Sequence, residues 1–180
     1  MDYAATKPKK DLSNMKIEHT ILYAIYACTF IAIAFIPKNK LKQASIIFIY
    51  QQCVTWFLGL LVVELHLLEY PVRELANVHE TSFLFEFLVF PVISIFFCLY
   101  YPLISNAWRK FLYTSAFCTG ITILEVIFEK YTLLITYIKW EWYFTWFSVY
   151  STLLLSWFFY KWFFKINDSK KNKTRNITMK

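Results

Sequence analysis

Five stretches of apolar residues, separated by short polar segments, run through the 180-residue chain. Each is close to the ~20 residues that an α-helix needs to cross ~30 Å of hydrocarbon. Helices are expected because backbone N–H and C=O groups find no water to bond within a bilayer. The pattern predicts an all-α integral membrane helical bundle with five transmembrane helices, at about residues 17–36, 44–68, 82–101, 111–128 and 142–164.

Polar tails flank this predicted domain. Residues 1–16 form the first, and residues 165–180 form a basic tail whose composition predicts disorder. The fifth stretch is also bounded by aromatic residues, with Trp142 and Trp162 twenty positions apart, or roughly 30 Å along a helix. Because tryptophan favours the membrane–water interface, this spacing favours a true crossing.

Charge is distributed unequally between the two ends of such a bundle. With alternating helices, one end carries eleven of the twelve acidic residues, seven basic residues and all three histidines, a net charge of −4. The other end carries twelve basic residues and only Asp168, a net charge of +11. Basic loops stay in the cytoplasm, so we expect a cell-membrane protein with its N-terminus outside and its C-terminus cytoplasmic.

Composition supports the same class. Hydrophobic residues make up 58% of the chain and charged residues 17%, against about 45–50% and about 25% in soluble domains. The basic residues flank apolar stretches, which predicts membrane lipids as partners, and no nucleic acid. The lysines before the first stretch leave a signal peptide as an alternative, with Ala32-Ile33-Ala34 resembling a cleavage site.

Glu86 is the first candidate for chemistry. It lies about one turn inside the third stretch, where a bare carboxylate costs up to roughly 2.5–3.5 kcal/mol. We expect it to turn inward, to find a partner or to be protonated. His79 lies seven residues earlier, on the same face of a helix that begins early enough. Other ionisable residues of this polar cluster are predicted at a similar depth, namely Glu64, His66, Glu125 and Glu129.

Two interpretations of this cluster remain open. In one, His79, Glu86 and Glu125 bind a divalent metal such as Zn²⁺, Mn²⁺ or Fe²⁺, or relay protons. In the other, which we favour, the cluster is a hydrogen-bonded lock between helix ends, with Arg73 and Lys130 as counter-charges. No His-Glu-x-x-His signature is present in the sequence, and no cofactor is predicted beyond this metal.

Small and imino-acid residues mark predicted packing positions. Thr20, Ala24, Cys28 and Ala32 form a column with the spacing of a close helix contact, suited to an assembly surface. Pro91 interrupts the third stretch and predicts a kink that serves packing. In the second stretch, Gln51 or its neighbour Gln52 is expected to bond to another helix.

Several short motifs resemble a known family. They are the basic loop Lys38–Lys42, His79 before the third stretch, the Phe90-Pro91 step, Glu125 at the end of the fourth, and Trp140 with Trp142. Over roughly residues 20–165, the chain resembles small, uncharacterised multi-pass membrane proteins of spore-forming Firmicutes. Its last loop departs from the Gly/Asn-containing turn of that family. The resemblance implies the bundle architecture and no particular activity.

The sequence favours a non-enzymatic role. We expect a small multi-pass membrane protein that binds a protein partner or lipid, or a second copy of itself. One alternative is an outer-leaflet metal-binding protein or metal-dependent membrane enzyme that uses the His/Glu cluster. Another is an oligomeric proton or ion conductor.

The predicted orientation can be tested with single cysteines in a chain whose native cysteines are replaced by alanine. In intact cells, a membrane-impermeant maleimide should label Asn77→Cys and leave Asn39→Cys unlabelled until the cells are permeabilised. Labelling of Asn39→Cys alone would show the opposite orientation.

Overall fold

The computed structural model describes residues 15–73 and 81–166, and it is mostly helical. The predicted tails therefore lie almost entirely outside the described residues, as does residue 79. A 3₁₀ turn, Lys38–Lys40, precedes the second helix, and a π-helical segment, Phe85–Val89, leads into the third. Within the described ranges there are five α-helices, α1 (Met15–Ala34), α2 (Leu41–Glu64), α3 (Phe90–Leu99), α4 (Ala107–Tyr131) and α5 (Trp142–Phe163).

In the described part of the chain, three helices are long and apolar enough to cross a membrane, namely Ile17–Ala34, Lys38–Glu64 and Ala107–Tyr131. The third segment is shorter than the expected 82–101, because the chain leaves the helix at Tyr100 and Pro102 follows. Its five π-helical and ten α-helical residues span roughly 20 Å. Helix α5, with 22 residues, is long enough to cross but is not among these three. Its four tryptophans, three tyrosines and several hydroxyl side chains lower its mean hydropathy.

Helix α2 is central to the packing. It contacts α3, the π-helical segment and α5, while α4 packs against α5 and α1 touches α3. Gln51 and Ser156 are buried where α2 meets α5, and the Ser156 hydroxyl donates a hydrogen bond to Oε1 of Gln51. The predicted bond from this glutamine pair to another helix is therefore confirmed. Nearer the end of α5, the Tyr160 hydroxyl donates to Oε1 of Gln43 over 3.1 Å.

A short antiparallel ribbon joins two connections at one end of the bundle. Strand β1 (Leu68–Glu69) follows α2 and pairs with β2 (Thr136–Tyr137), which precedes α5, in the register Leu68↔Tyr137. The start of α1 lies at the same end, where Oε1 of buried Glu18 accepts the Leu133 N–H over 2.9 Å. The start of α1, the connection after α2 and the connection before α5 therefore lie at one end in the described structure, as predicted for the acidic end.

The opposite end has an aromatic core. Tyr101 stacks on Trp157 with ring centroids 4.1 Å apart, and Ile36 and Phe164 belong to the same hydrophobic cluster. The turn after α1, the turn after α3 and the end of α5 thus meet here, as five helices of alternating direction require.

On α1, the column predicted for close packing is mostly exposed. Thr20, Ala24 and Cys28 are exposed and Ala32 is half-buried. Among residues 17–34 of this helix, Glu18, Leu22 and Thr29 are buried, so the contacts of α1 within the described chain use a neighbouring face. A contact of the column with a second molecule stays a prediction.

Removal of the Gln51 side chain should destabilise the bundle. Polar contacts between membrane helices contribute about 0.6 kcal/mol on average and up to about 1.7 kcal/mol. We expect Gln51→Ala to lower the free energy of unfolding by about 1–2 kcal/mol, since it also leaves the buried Ser156 hydroxyl without this acceptor. Denaturation in mixed micelles measures the change. Gln52→Ala is the matched control, and equal losses in the two variants would contradict the buried contact.

Candidate functional site

A break in the third helix places Glu86. The Phe90 N–H bonds to the carbonyl of Phe85, five residues back, and Pro91 has no N–H. The Glu86 carbonyl is thereby left without a donor from its own helix. Thr55 Oγ1, on α2, donates to it over 2.7 Å. The predicted disturbance at Pro91 is therefore a π-helical turn whose freed carbonyl is bound by a neighbouring helix.

Gly59 makes room for the Glu86 side chain. It lies one turn after Thr55 on the same face of α2, and a Cβ atom added there would overlap the Glu86 carboxyl group. Glu86 is only 3% exposed, and both of its carboxyl oxygens are buried. Glu86 therefore turns inward, as the sequence predicts.

The expected partner of Glu86 is not found among residues 15–73 and 81–166. Neither carboxyl oxygen has a hydrogen bond of ordinary length and angle within those ranges. The Thr81 hydroxyl lies near the carboxyl group without such a bond. His79 falls outside the described residues, so its predicted pairing with Glu86 stays a prediction.

Glu125 is in a different situation. Its Oε1 accepts hydrogen bonds from the Tyr137 hydroxyl and from Thr145 Oγ1, each over 2.6 Å. The Trp140 indole N–H in turn donates to Thr145 Oγ1 over 2.7 Å. These bonds connect α4, the connection after it and the first turn of α5. Glu125 thus forms the kind of polar lock that the sequence analysis favours for the cluster.

Both carboxylates line one cavity of about 200 Å³. Leu68, Tyr70 and Trp140 line it at the level of the connecting segments, and Thr55 and Thr152 line it deeper between α2 and α5. Thr55 lies nine residues before the end of α2, so the cavity reaches roughly 13 Å into the bundle. A second cavity of about 140 Å³ also has Tyr70 and Glu125 in its lining.

Two tyrosines in the connections remain protonated at neutral pH. Burial raises the pKa of Tyr70 well above its usual value near 10, and the charges of Glu86 and Glu125 raise it further. Burial and Glu125 likewise raise the pKa of Tyr137. Because both phenols keep their protons, the Tyr137 hydroxyl remains a donor to Glu125, and Tyr70 presents a neutral ring to the cavity.

The other predicted cluster residues lie elsewhere. Glu64 and His66 are exposed at the end of α2, where His66 has a φ of 52°, and Glu129 is half-buried one turn beyond Glu125. In the described part of the chain, no group of three or more His, Cys, Asp or Glu residues is placed to hold a metal ion. The metal set of His79, Glu86 and Glu125 stays a prediction, because one member is outside that part.

Sequence reasoning missed several residues of the site, among them Thr55, Gly59 and Thr145. Of these, Gly59 could have been identified from the sequence, since it is one of only two glycines in the chain and lies within a predicted helix. A glycine there is a weak helix former and often marks close packing. Hydroxyl residues are common in such helices and gave no comparable signal.

Comparisons of the chain with protein-family models, with curated proteins and with solved structures found no match.

The two glycines offer a matched test of the Gly59–Glu86 contact. A Cβ at Gly120 would meet nothing within 4 Å, so Gly120→Ala should gain up to about 1 kcal/mol from helix propensity. Gly59→Ala must move the Glu86 side chain, so it should be less stable than Gly120→Ala by about 1 kcal/mol. Unfolding in mixed micelles measures both. In a Glu86→Ala background the difference should disappear, and its persistence there would refute the contact.

Proposed function

We infer that this chain is a five-span integral membrane protein that binds an amphipathic ligand, such as a lipid, in the cavity of Glu86. Large apolar side chains face outward on the helices, as at Phe30, Phe57, Ile123 and Phe158. In water such a surface would promote association, whereas in a bilayer it faces lipid. The aromatic ends of α5 and the alternating helix directions support a crossing by α5 as well.

The third helix can cross although it is short. A helix shorter than the hydrocarbon thickness is accommodated by local thinning of the bilayer and by flanking residues. The unequal charge of the two ends supports an external N-terminus and a cytoplasmic C-terminus. In this orientation the carboxylate-lined cavity lies in the outer half of the bundle.

The proposal of ligand binding rests on the unsatisfied carboxyl group of Glu86. A carboxyl group used only as a structural lock would have its oxygens satisfied, as Oε1 of Glu125 has. Glu86 is instead buried beside a cavity with mainly apolar walls, and no described residue satisfies it. Ligand pockets combine such apolar walls with a few polar groups that orient the ligand. No catalytic step is needed to account for this arrangement.

Metal binding is a second candidate. It is favoured by the presence of Glu86 and Glu125 in the lining of the same cavity, since carboxylate oxygens are common metal ligands. His79 would supply the third ligand.

Two serines on α5 allow a matched test of the proposed function. Ser148 lines the cavity, whereas Ser151 is exposed, and both hydroxyls bond to a carbonyl of their own helix over 2.9 Å. Ser148→Phe should block the cavity and Ser151→Phe should not. Mass spectrometry of solvent extracts should therefore find an amphiphile in about equimolar amount with the wild type and Ser151→Phe, and little with Ser148→Phe.

Equal amounts of every amphiphile in the three preparations would contradict binding in the cavity. Elemental analysis of the same samples tests the second candidate. An equimolar metal that is lost in His79→Ala and in Glu86→Ala would favour the metal site over the amphiphile.

A further inference from the structure

We propose that the ligand of this cavity is an organic amine, whose ammonium group pairs with the Glu86 carboxylate while its apolar part contacts the cavity walls. This rests on the proposed ligand-binding function and specifies the chemistry of the ligand. The observations that support it are the charge of the lining, the unused acceptors of Glu86 and the aromatic walls.

The lining contains acidic groups and, among the described residues, no basic ones. It contains the two carboxyl groups of Glu86 and Glu125, and among the described residues that line it there is no lysine, arginine or histidine. An unpaired carboxylate in an apolar environment is strongly unfavourable, and a nearby cation relieves that cost. A cationic ligand therefore fits this lining better than a neutral or anionic one.

The hydrogen-bonding capacity points to Glu86 as the partner. An ammonium group has three N–H donors and no acceptor, whereas an ionised carboxylate only accepts. Both oxygens of Glu86 lack a hydrogen bond from the described residues, while Oε1 of Glu125 already accepts two. An N–H donor placed at Glu86 would satisfy a buried group that the rest of the described structure leaves unsatisfied.

The walls suit an organic cation better than a metal ion. Tyr70, Phe90 and Trp140 all line the cavity, and aromatic faces attract ammonium groups within about 6 Å of the ring centroid. A metal ion needs several close polar ligands, whereas an ammonium group can be bound by one carboxylate and aromatic faces. Apolar and aromatic walls with a buried carboxylate instead resemble the surroundings in which organic ammonium ions are bound.

The volume limits the size of the bound part. An apolar cavity of about 150 Å³ holds benzene, which has six heavy atoms. By that proportion, about 200 Å³ accommodates roughly seven or eight heavy atoms. n-Hexylamine has seven, and n-hexan-1-ol has the same size and shape without the charge. The two compounds form a matched pair of probes.

Titration calorimetry of the purified full-length protein at pH 7, with empty micelles subtracted, should show that n-hexylamine binds at least about 10-fold more tightly than n-hexan-1-ol. Glu86→Gln keeps the shape of the side chain. In this variant the two probes should bind with nearly equal affinity, and hexanol binding should be retained. Retained hexanol binding shows that the variant is folded. Glu64→Gln removes an exposed carboxylate from the same end and should keep the full preference.

The outcomes separate this inference from the proposed function. Equal affinity of the wild type for the two probes would overturn the amine and leave amphiphile binding in the cavity intact. A preference for hexylamine that survives in Glu86→Gln would overturn the assigned role of Glu86. Failure of both probes to bind, together with equal amphiphile content of wild type and Ser148→Phe, would overturn the proposed function as well.

Discussion

One face of α2 sets how closely the helices approach each other. Positions Ile47, Gln51, Thr55, Gly59 and Val63 recur in steps of four, so they form one continuous row along the helix, and each of them is buried or adjoins another helical segment. Gln51 bonds to α5, Thr55 bonds to the freed carbonyl of the third helix, and Gly59 has no side chain to keep Glu86 away. The position of the Glu86 carboxyl group depends on this sequence of small and polar contacts.

The two carboxylates of the cavity differ because their neighbours differ. Glu125 lies beside two hydroxyl donors, one from the connection before α5 and one from its first turn, so it joins three parts of the chain. Glu86 lies beside Gly59 and the apolar surface of α2, where the described residues offer no donor of suitable geometry. Since buried polar groups are nearly always satisfied, this contrast between the two carboxyl groups is the basis of the proposed ligand site.

In the proposed membrane environment, the outer surface of the bundle and the cavity have different neighbours. Outside the cavity, the exposed apolar side chains of the helices need only lipid as a neighbour. At the acidic end, the ribbon of β1 and β2 brings Leu68 and Tyr137 together, next to the residues that line the cavity at that level. Tyr70 and Trp140 line the cavity at that level, and Thr55 lines it deeper between α2 and α5.

The sequence by itself determined the helical class, the approximate helix positions and the inward position of Glu86. These follow from the length of each apolar stretch and from the cost of exposing a carboxylate to lipid, which are local properties of the chain. It also predicted a contact to another helix for Gln51 or Gln52, and the structure shows that Gln51 makes it. Only the tertiary structure decided that Thr55 and Gly59 adjoin Glu86, that Glu125 bonds to Tyr137 and Thr145, and that the column of Ala24 and Cys28 is exposed. Those facts depend on the rotation and register of each helix, which no pattern within a single helix specifies.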